Sequence, residues 1–465
     1  MRTGRITAKV AAIILLLSFV ITLLAGCSFF QPKLNGVNIG KYTIVYDKEG
    51  YDYNLRAAEY IQSAIKDAYG VELEIIGDEV AEGEHEIVVG ETSRKISNEF
   101  YAECEGFEFA VYANDSHIAL EGDYFIIAAA AYYFIDTYIV GEDREITVPK
   151  ELQIEVPIMK EASNFIMLIG DGMGLAQTRL YDVYDAPTEG DNAFSDGEDF
   201  FYGYLFPALG YSRTDSLDGT TDSAAGGTAL SSGYKTHNTY IGRDGDGNDV
   251  RLITELAASL GMATAVMSTE KQTGATPASF SAHAEDRNDT SDISKSQIDI
   301  INNCGTIIEC GYDYYTQRYM TGSIEKRVTD TLSKLSADED GFFLMYEEAH
   351  IDKHCHNNDS HNTFLAIMRF NQVIARFMEF AFYNPDTFVL ITADHETGGL
   401  SLDGGTPTYS SEDHTSANVP VFAYGMGCDL FAGATVENVQ IPKTIAAMMG
   451  VNDFGRAGEF PALTK

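Results

Sequence analysis

The stretch "FIMLIGDGMG", Phe165 to Gly174, decides the fold class. It opens on an unbroken apolar run, which leaves no wet face and so reads as a strand buried on both sides. Asp171 follows at once, and Gly172 and Gly174 permit a tight turn there. The same design recurs downstream. "ATAVM" (263–267) runs into Ser268 and Thr269, "FFLMY" (342–346) into Glu347, and "TFVLI" (387–391) into Thr392 and then Asp394 and His395. "VPVFAYG" (419–425) is preceded by "DHTSAN". Buried strands alternating with helical patterns predict an α/β domain with a mostly parallel sheet. Ligands of such sheets bind outside the carboxyl ends of the strands. The acids and histidines therefore collect at one edge.

Upstream of residue 164 the pattern differs. Arg2, Arg5 and Lys9 precede the apolar run Ala11–Leu24, and "LLAGCSFF" then puts Cys27 behind small residues. This resembles a bacterial lipoprotein signal peptide over residues 1–26, with Cys27 as the lipidated first residue of the mature chain. It predicts an extracytoplasmic protein, lipid-anchored to the bacterial cell membrane. An ordinary cleaved signal or a short anchor helix is the alternative. Residues 27–140 read as a small α/β domain: a strand over Lys41–Tyr46, then a helix with Ala57, Tyr60, Ile61, Ala64, Ile65 and Ala68 on its apolar face. The segment "YTIVYDKEGYDYNLRAAEYIQSAIKDAYGVELEI" resembles a domain that precedes catalytic domains in some carbohydrate-active enzymes. Residues 141–163, charged and carrying two prolines, read as a linker to a catalytic domain over 164–465.

The formal net charge of −39 excludes a nucleic-acid binder and disfavours an anionic membrane surface. An anionic substrate would need local positive charge, from metal ions or a buried Arg. Besides Cys27 the chain has Cys104, Cys304, Cys310, Cys355 and Cys428, an odd set. The spacing of "CGTIIEC" leaves a Cys304–Cys310 bridge open without requiring it.

Single motifs along the edge are modest. In "AHIDKHCHNND", Asp352 and His356 are four apart and share one face of a helix, so they can grip one ion, while His354 and Cys355 point elsewhere. Taken singly, Asp394 and His395 also read as a solvated turn, His414 as a structural histidine, and Asp171 before Gly172 as a weak turn signal. Together they form two Asp/His sets of N and O donors suited to zinc. Paired ions ~3.5–4 Å apart can clamp the attacking and leaving oxygens of an in-line displacement at phosphorus. "TDSAAGGTAL" (221–230) places Ser223 at a helix start, where a cap and a nucleophile look alike. No G-x-S-x-G elbow is present.

In this order "LIGDGMG", "TDSAAGGTAL", "ATPASFSAHAEDR", "EEAHIDKHCH", "TADHETGG" and "HTSANVPVFAYG" resemble an alkaline phosphatase, over about Asn164 to Gly450. The resemblance implies an alkaline-phosphatase-like three-layer α/β sandwich with a mostly parallel central sheet. It implies a phosphomonoesterase that works through a phosphoserine intermediate on Ser223. Asp352, His356 and His414 would hold one zinc, and Asp171, Asp394 and His395 a second that activates Ser223. Arg287 would clamp phosphate oxygens; by itself it reads as a surface ion pair with Asp286 or Asp289. A magnesium would rest on Asp171, Thr276 and Glu347; Lys353, beside Asp352, would either help hold phosphate through water or simply be solvated. Two departures stand out. Gly274 replaces the Asp or His that relatives carry two residues before Thr276, and Gly226 and Gly227 replace Ala, Ser or Thr after the nucleophile. Small phosphorylated compounds are the expected substrates, and a homodimer is left open.

Sulfatases of the same superfamily need Pro and Arg after the nucleophile, which "SAAGG" lacks. Diesterases tend to carry Thr where this chain has Ser223, so a phosphodiesterase ranks second. A non-enzymatic surface lipoprotein binding glycan or phosphate is the competing class, against which the complete ligand set weighs.

Overall fold

A computed structural model describes residues 32–50, 52–97, 105–141, 144–184, 200–313, 318–319 and 324–464. The expected signal peptide with Cys27, and Cys104, lie outside the described residues. Among the described residues no helix is long and apolar enough to cross a membrane. The chain divides into two compact units that meet in sequence at Pro157 and Ile158, with Glu105–Phe107 belonging to the second.

The first unit is built on a six-stranded sheet ordered Ile75–Gly77, Thr43–Tyr46, Glu86–Val89, His117–Glu121, Phe109–Ala113 and Ile154–Glu155. Its first four strands are parallel and the last two join antiparallel. The helix Asp52–Tyr69 buries Ala57, Ala58, Ile61 and Ile65, whereas Ala68 is exposed near its fraying end. The segment expected to be a linker is partly structured. Glu145–Ile146 pairs with Lys33–Leu34, and Ile154–Glu155 pairs with Phe109 and Ala110, so the unit runs on to Pro157.

The second unit carries an eight-stranded sheet. Its strands are β1 (Asn164–Gly170), β2 (Ala208–Arg213), β3 (Ala263–Ser268), β4 (Ile307–Cys310), β5 (Phe342–Glu348), β6 (Thr387–Thr392), β7 (Val419–Tyr424) and β8 (Thr435–Glu437). Their order is β4-β3-β5-β1-β6-β7-β2-β8, and β7 alone runs against the rest. All seven residues of β1 are buried, as the apolar run requires. Phe165, Met167 and Ile169 join Leu230, Ile253, Leu256, Ile441 and Ile445 in one helix-covered layer. On β5, Phe342 packs instead on Phe380, and Tyr346 stacks on Phe370 and meets Phe377 edge-on, all on the long helix Ser360–Tyr383. Each fully buried side chain of this size contributes ~1.5–3 kcal/mol, which fixes the register of the central strands. The result is the expected three-layer α/β sandwich.

Three helices frame the carboxyl edge: α1 (Ser223–Ser232), α2 (Ala275–Ser279) and α3 (His350–Cys355). Asp222 caps α1 by accepting the Ala225 N–H at 2.9 Å, and Gly233 ends it in the left-handed conformation at φ 74°. Cys304 and Cys310 are free thiols, so the bridge left open by their spacing is not made.

Candidate active site

Asp171 leaves β1 on a turn that Gly172 makes possible at φ 73°. Asp394 and His395 follow β6, Glu347 ends β5 one residue early, and α3 presents Asp352 with His356 just past its last turn. A short ribbon in which Thr397 pairs with His414 returns the chain, so that the His414 ring stacks on His395 with centroids 3.6 Å apart. Residues nearly 250 positions apart thus converge, from Asp171 to His414.

The first cluster is a triangle. His356 Nε2 lies 3.2 Å from His414 Nε2 and 3.3 Å from Asp352 Oδ1, and His414 Nε2 lies 3.6 Å from the same oxygen. In the second, His395 Nε2 is 3.5 Å from Asp171 Oδ1, 3.4 Å from Asp394 Oδ2 and 3.1 Å from Ser223 Oγ. Asp352 borders both clusters, because its oxygens also come within 4.8 Å of the Asp171 and His395 donors.

The other ring nitrogens fix which face of each imidazole is bare. His414 Nδ1 donates to the Thr221 carbonyl at 2.9 Å, and His356 Nδ1 donates to the Glu412 carbonyl. The Thr397 hydroxyl donates to Asp352 Oδ1 at 2.6 Å and so accepts from His395 Nδ1 at 3.2 Å. All three Nε2 lone pairs therefore face the site. Two such lone pairs 3.2 Å apart repel unless a cation lies between them. The donor set, imidazole nitrogens with carboxylate oxygens, fits a divalent metal of the zinc type.

Beside it Thr276 Oγ1, Glu347 Oε1 and Asp171 Oδ1 are buried and make no hydrogen bond. An all-oxygen set of this kind suits a small hard cation. The carboxylates resist ionisation without one. Burial and then Asp394 and Asp352 push Asp171 well above the usual range. Burial and then Glu270 raise Glu347 to about 8, and burial and Asp352 raise Asp394 to about 7. Burial and the neighbouring His414 and Arg287 push His395 down, so its ring stays neutral.

Arg287 does not pair with Asp286 or Asp289 through its side chain; its guanidinium meets Asp222 at 3.1 Å. The residue that caps α1, next to Ser223 in the chain, thus also holds Arg287. Lys353 pairs with Glu270 at 2.7 Å, and His354 and Cys355 are buried away from the donors. Asp222, Thr397 and Glu270 escaped the sequence reading. Only Asp222 carried a signal, as the residue before a helix-starting serine.

The two glycines of α1 find a reason in close packing. A Cβ on Gly226 would sit 2.8 Å from the Asp394 carbonyl oxygen, and one on Gly227 3.0 Å from the Ser279 side chain. At Gly226 a side chain would force α1 off the Asp394 backbone, whereas at Gly227 it would crowd the Ser279 side chain of α2.

A family profile described as alkaline phosphatase matches residues 162–313 and 309–410. The chain belongs to the alkaline phosphatase family. The profile ends before His414, which the geometry supplies. Alkaline phosphatase 3 of Bacillus subtilis is 30% identical over 340 residues, 61% of this chain and 71% of that protein. The crystallised alkaline phosphatase of the Antarctic bacterium TAB5 is 28% identical with a TM-score of 0.54, covering 63% of this chain and all of that one. A variant of the TAB5 enzyme, with one histidine exchanged for glutamate, holds magnesium in its M3 site. Membership makes this chain a phosphatase-type hydrolase with a site for divalent metal.

Proposed function

We propose that the chain hydrolyses phosphate monoesters through a phosphoserine on Ser223, with two zinc ions and one magnesium as cofactors. The observation that carries this reading is Ser223 Oγ, buried at the start of α1 and 3.1 Å from the His395 Nε2 lone pair where the donor clusters meet. The positive end of the α1 dipole favours an anion at this point. Arg287, held by Asp222, presents two N–H groups to a pair of phosphate oxygens. Asp352, His356 and His414 would hold one zinc, Asp171, Asp394 and His395 the other, and Asp171, Thr276 and Glu347 magnesium. When bound, such ions lower the pKa of an oxygen nucleophile and offset charge on the phosphoryl oxygens.

The Ser223 hydroxyl gives up its proton to solvent and its oxygen forms the new bond to phosphorus. The ester P–O bond opposite it breaks as the departing oxygen takes a proton from water, with Arg287 steadying the phosphoryl group. A water then loses a proton and attacks the phosphoserine along the vacated line. The Ser223–phosphorus bond breaks, the Ser223 oxygen is reprotonated, and inorganic phosphate leaves. His395, its Nδ1 engaged by Thr397 and its Nε2 lone pair given to the metal, is not the base of a triad; it would hold the ion beside Ser223 Oγ, which lies 3.1 Å from that nitrogen. The substrates are small phosphorylated compounds. The basic start, the apolar run and the small residues before Cys27 support a lipid anchor outside the cytoplasm.

Purified protein with zinc and magnesium should release phosphate from an aryl phosphate monoester faster than from the diester. Ser223→Ala should lower the monoester rate by roughly 10³-fold or more. Equal rates in wild type and variant would sink the proposal.

A further inference from the structure

Gly274 stands at the start of α2, two residues before Thr276, where the sequence resemblance predicts Asp or His. The structure fills that volume from elsewhere. A Cβ built on Gly274 would lie 1.7 Å from Glu270 Oε1 and 2.3 Å from Glu270 Cδ. The Glu270 carboxyl therefore occupies the space that a side chain on residue 274 would take. Its other oxygen, Oε2, accepts from Lys353 Nζ at 2.7 Å.

The position of Glu270 is enforced from the backbone outward. Its N–H donates to Ser268 Oγ at 2.9 Å, and the Ser268 hydroxyl donates to Glu347 Oε2. The Gly311 N–H donates to the Glu270 carbonyl at 2.7 Å. Glu270 is thus tied through one hydroxyl to Glu347, whose second oxygen is buried without a hydrogen bond, as are Thr276 Oγ1 and Asp171 Oδ1.

We infer that Glu270, reaching back across Gly274, is the outer carboxylate of the Asp171–Thr276–Glu347 cation site and the residue that fixes Lys353 beside the phosphate. The acid has moved four residues upstream, and the glycine is the condition for its reach. Glu270 is a positioning residue: it touches Lys353 and faces the cation's shell, not the substrate. The inference rests on reading Asp171, Thr276 and Glu347 as a cation site, and adds a ligand-shell residue that the spacing of the motifs conceals.

Manganese, titrated by electron paramagnetic resonance into zinc-loaded full-length protein, tests it. Wild type should bind one manganese beyond its zinc. Glu270→Gln, which keeps the shape, should weaken that binding roughly ten- to hundredfold, the usual cost of an outer-shell partner, and raise KM more than it lowers kcat. Gly274→Asp alone should also weaken binding, because two carboxyls then compete for one volume. The double variant Glu270→Ala/Gly274→Asp should recover most of the affinity by returning the acid to residue 274. A wild-type chain that takes up no manganese overturns the cation site and the inference with it. If wild type binds but Glu270→Gln binds equally well, the cation site survives and the role of Glu270 is overturned. Failure of the double variant to regain affinity over Gly274→Asp likewise counts against the exchange.

Discussion

Both units place charged side chains against a parallel sheet, but they settle those charges in opposite ways. In the first unit Glu86 is buried and fully engaged. Its oxygens accept from Arg94 Nε at 2.6 Å and Nη2 at 3.2 Å, with the Gly83 N–H at 2.6 Å and His117 Nε2 3.4 Å away. In the second unit Asp171, Asp394, Glu347 and Thr276 each leave a buried oxygen without a hydrogen bond, beside three imidazoles with bare Nε2. Acid content alone does not separate the two. The difference lies in whether the protein supplies its own counter-charge. Where it does, the cluster is structural; a single buried carboxyl can instead stay protonated, but several acids left unpaired beside three inward-facing imidazoles imply an external cation.

The largest effect that could break this contrast is in the first unit. Arg94→Met strands Glu86 without its partner and should cost about 3–5 kcal/mol of stability, read as a lower urea midpoint. Monoester hydrolysis per folded molecule should be unchanged. A variant as stable as wild type would show that the ion pair is not what neutralises Glu86.

A smaller effect concerns Glu121, a buried acid of the first unit with one oxygen lacking a hydrogen bond. Burial, eased by Ser97 and reinforced by Glu91 and Asp123, raises it to about 9, so it is protonated in the fold at neutral pH. A raised carboxyl pKa favours the fold while the unfolded group is also protonated, and that contribution fades as pH climbs towards 9. Wild type should therefore lose urea resistance between about pH 4.5 and 9, and Glu121→Gln should lose less. Parallel pH profiles for the two proteins would contradict this.

Much of the catalytic edge was legible because its residues follow buried strands, and buried strands announce themselves as apolar runs. Asp171, Glu347, Asp394 and His395 were placed that way, and Asp352 with His356 by helical spacing. Glu270 left no trace, since its position depends on a return of chain over a glycine that spacing cannot express. The reason for Gly226 was equally hidden: it is the Asp394 carbonyl, 168 positions later in the chain. The strand Ile154–Glu155 reads as linker because charges and two prolines surround it and it is only two residues long. Its pairing with Phe109 and Ala110 is a long-range fact.

The central claim, that the unpaired buried donors of the second unit await a divalent cation, is tested most directly by urea unfolding of chelated protein with and without added zinc. Zinc at a hundredfold its Kd should stabilise wild type by about 2.7 kcal/mol for each site filled. Asp394→Asn, which removes one of the mutually repelling carboxylates, should be more stable than wild type without metal and gain far less from zinc. Equal stability of chelated wild type with and without zinc, together with a destabilised Asp394→Asn, would contradict the account.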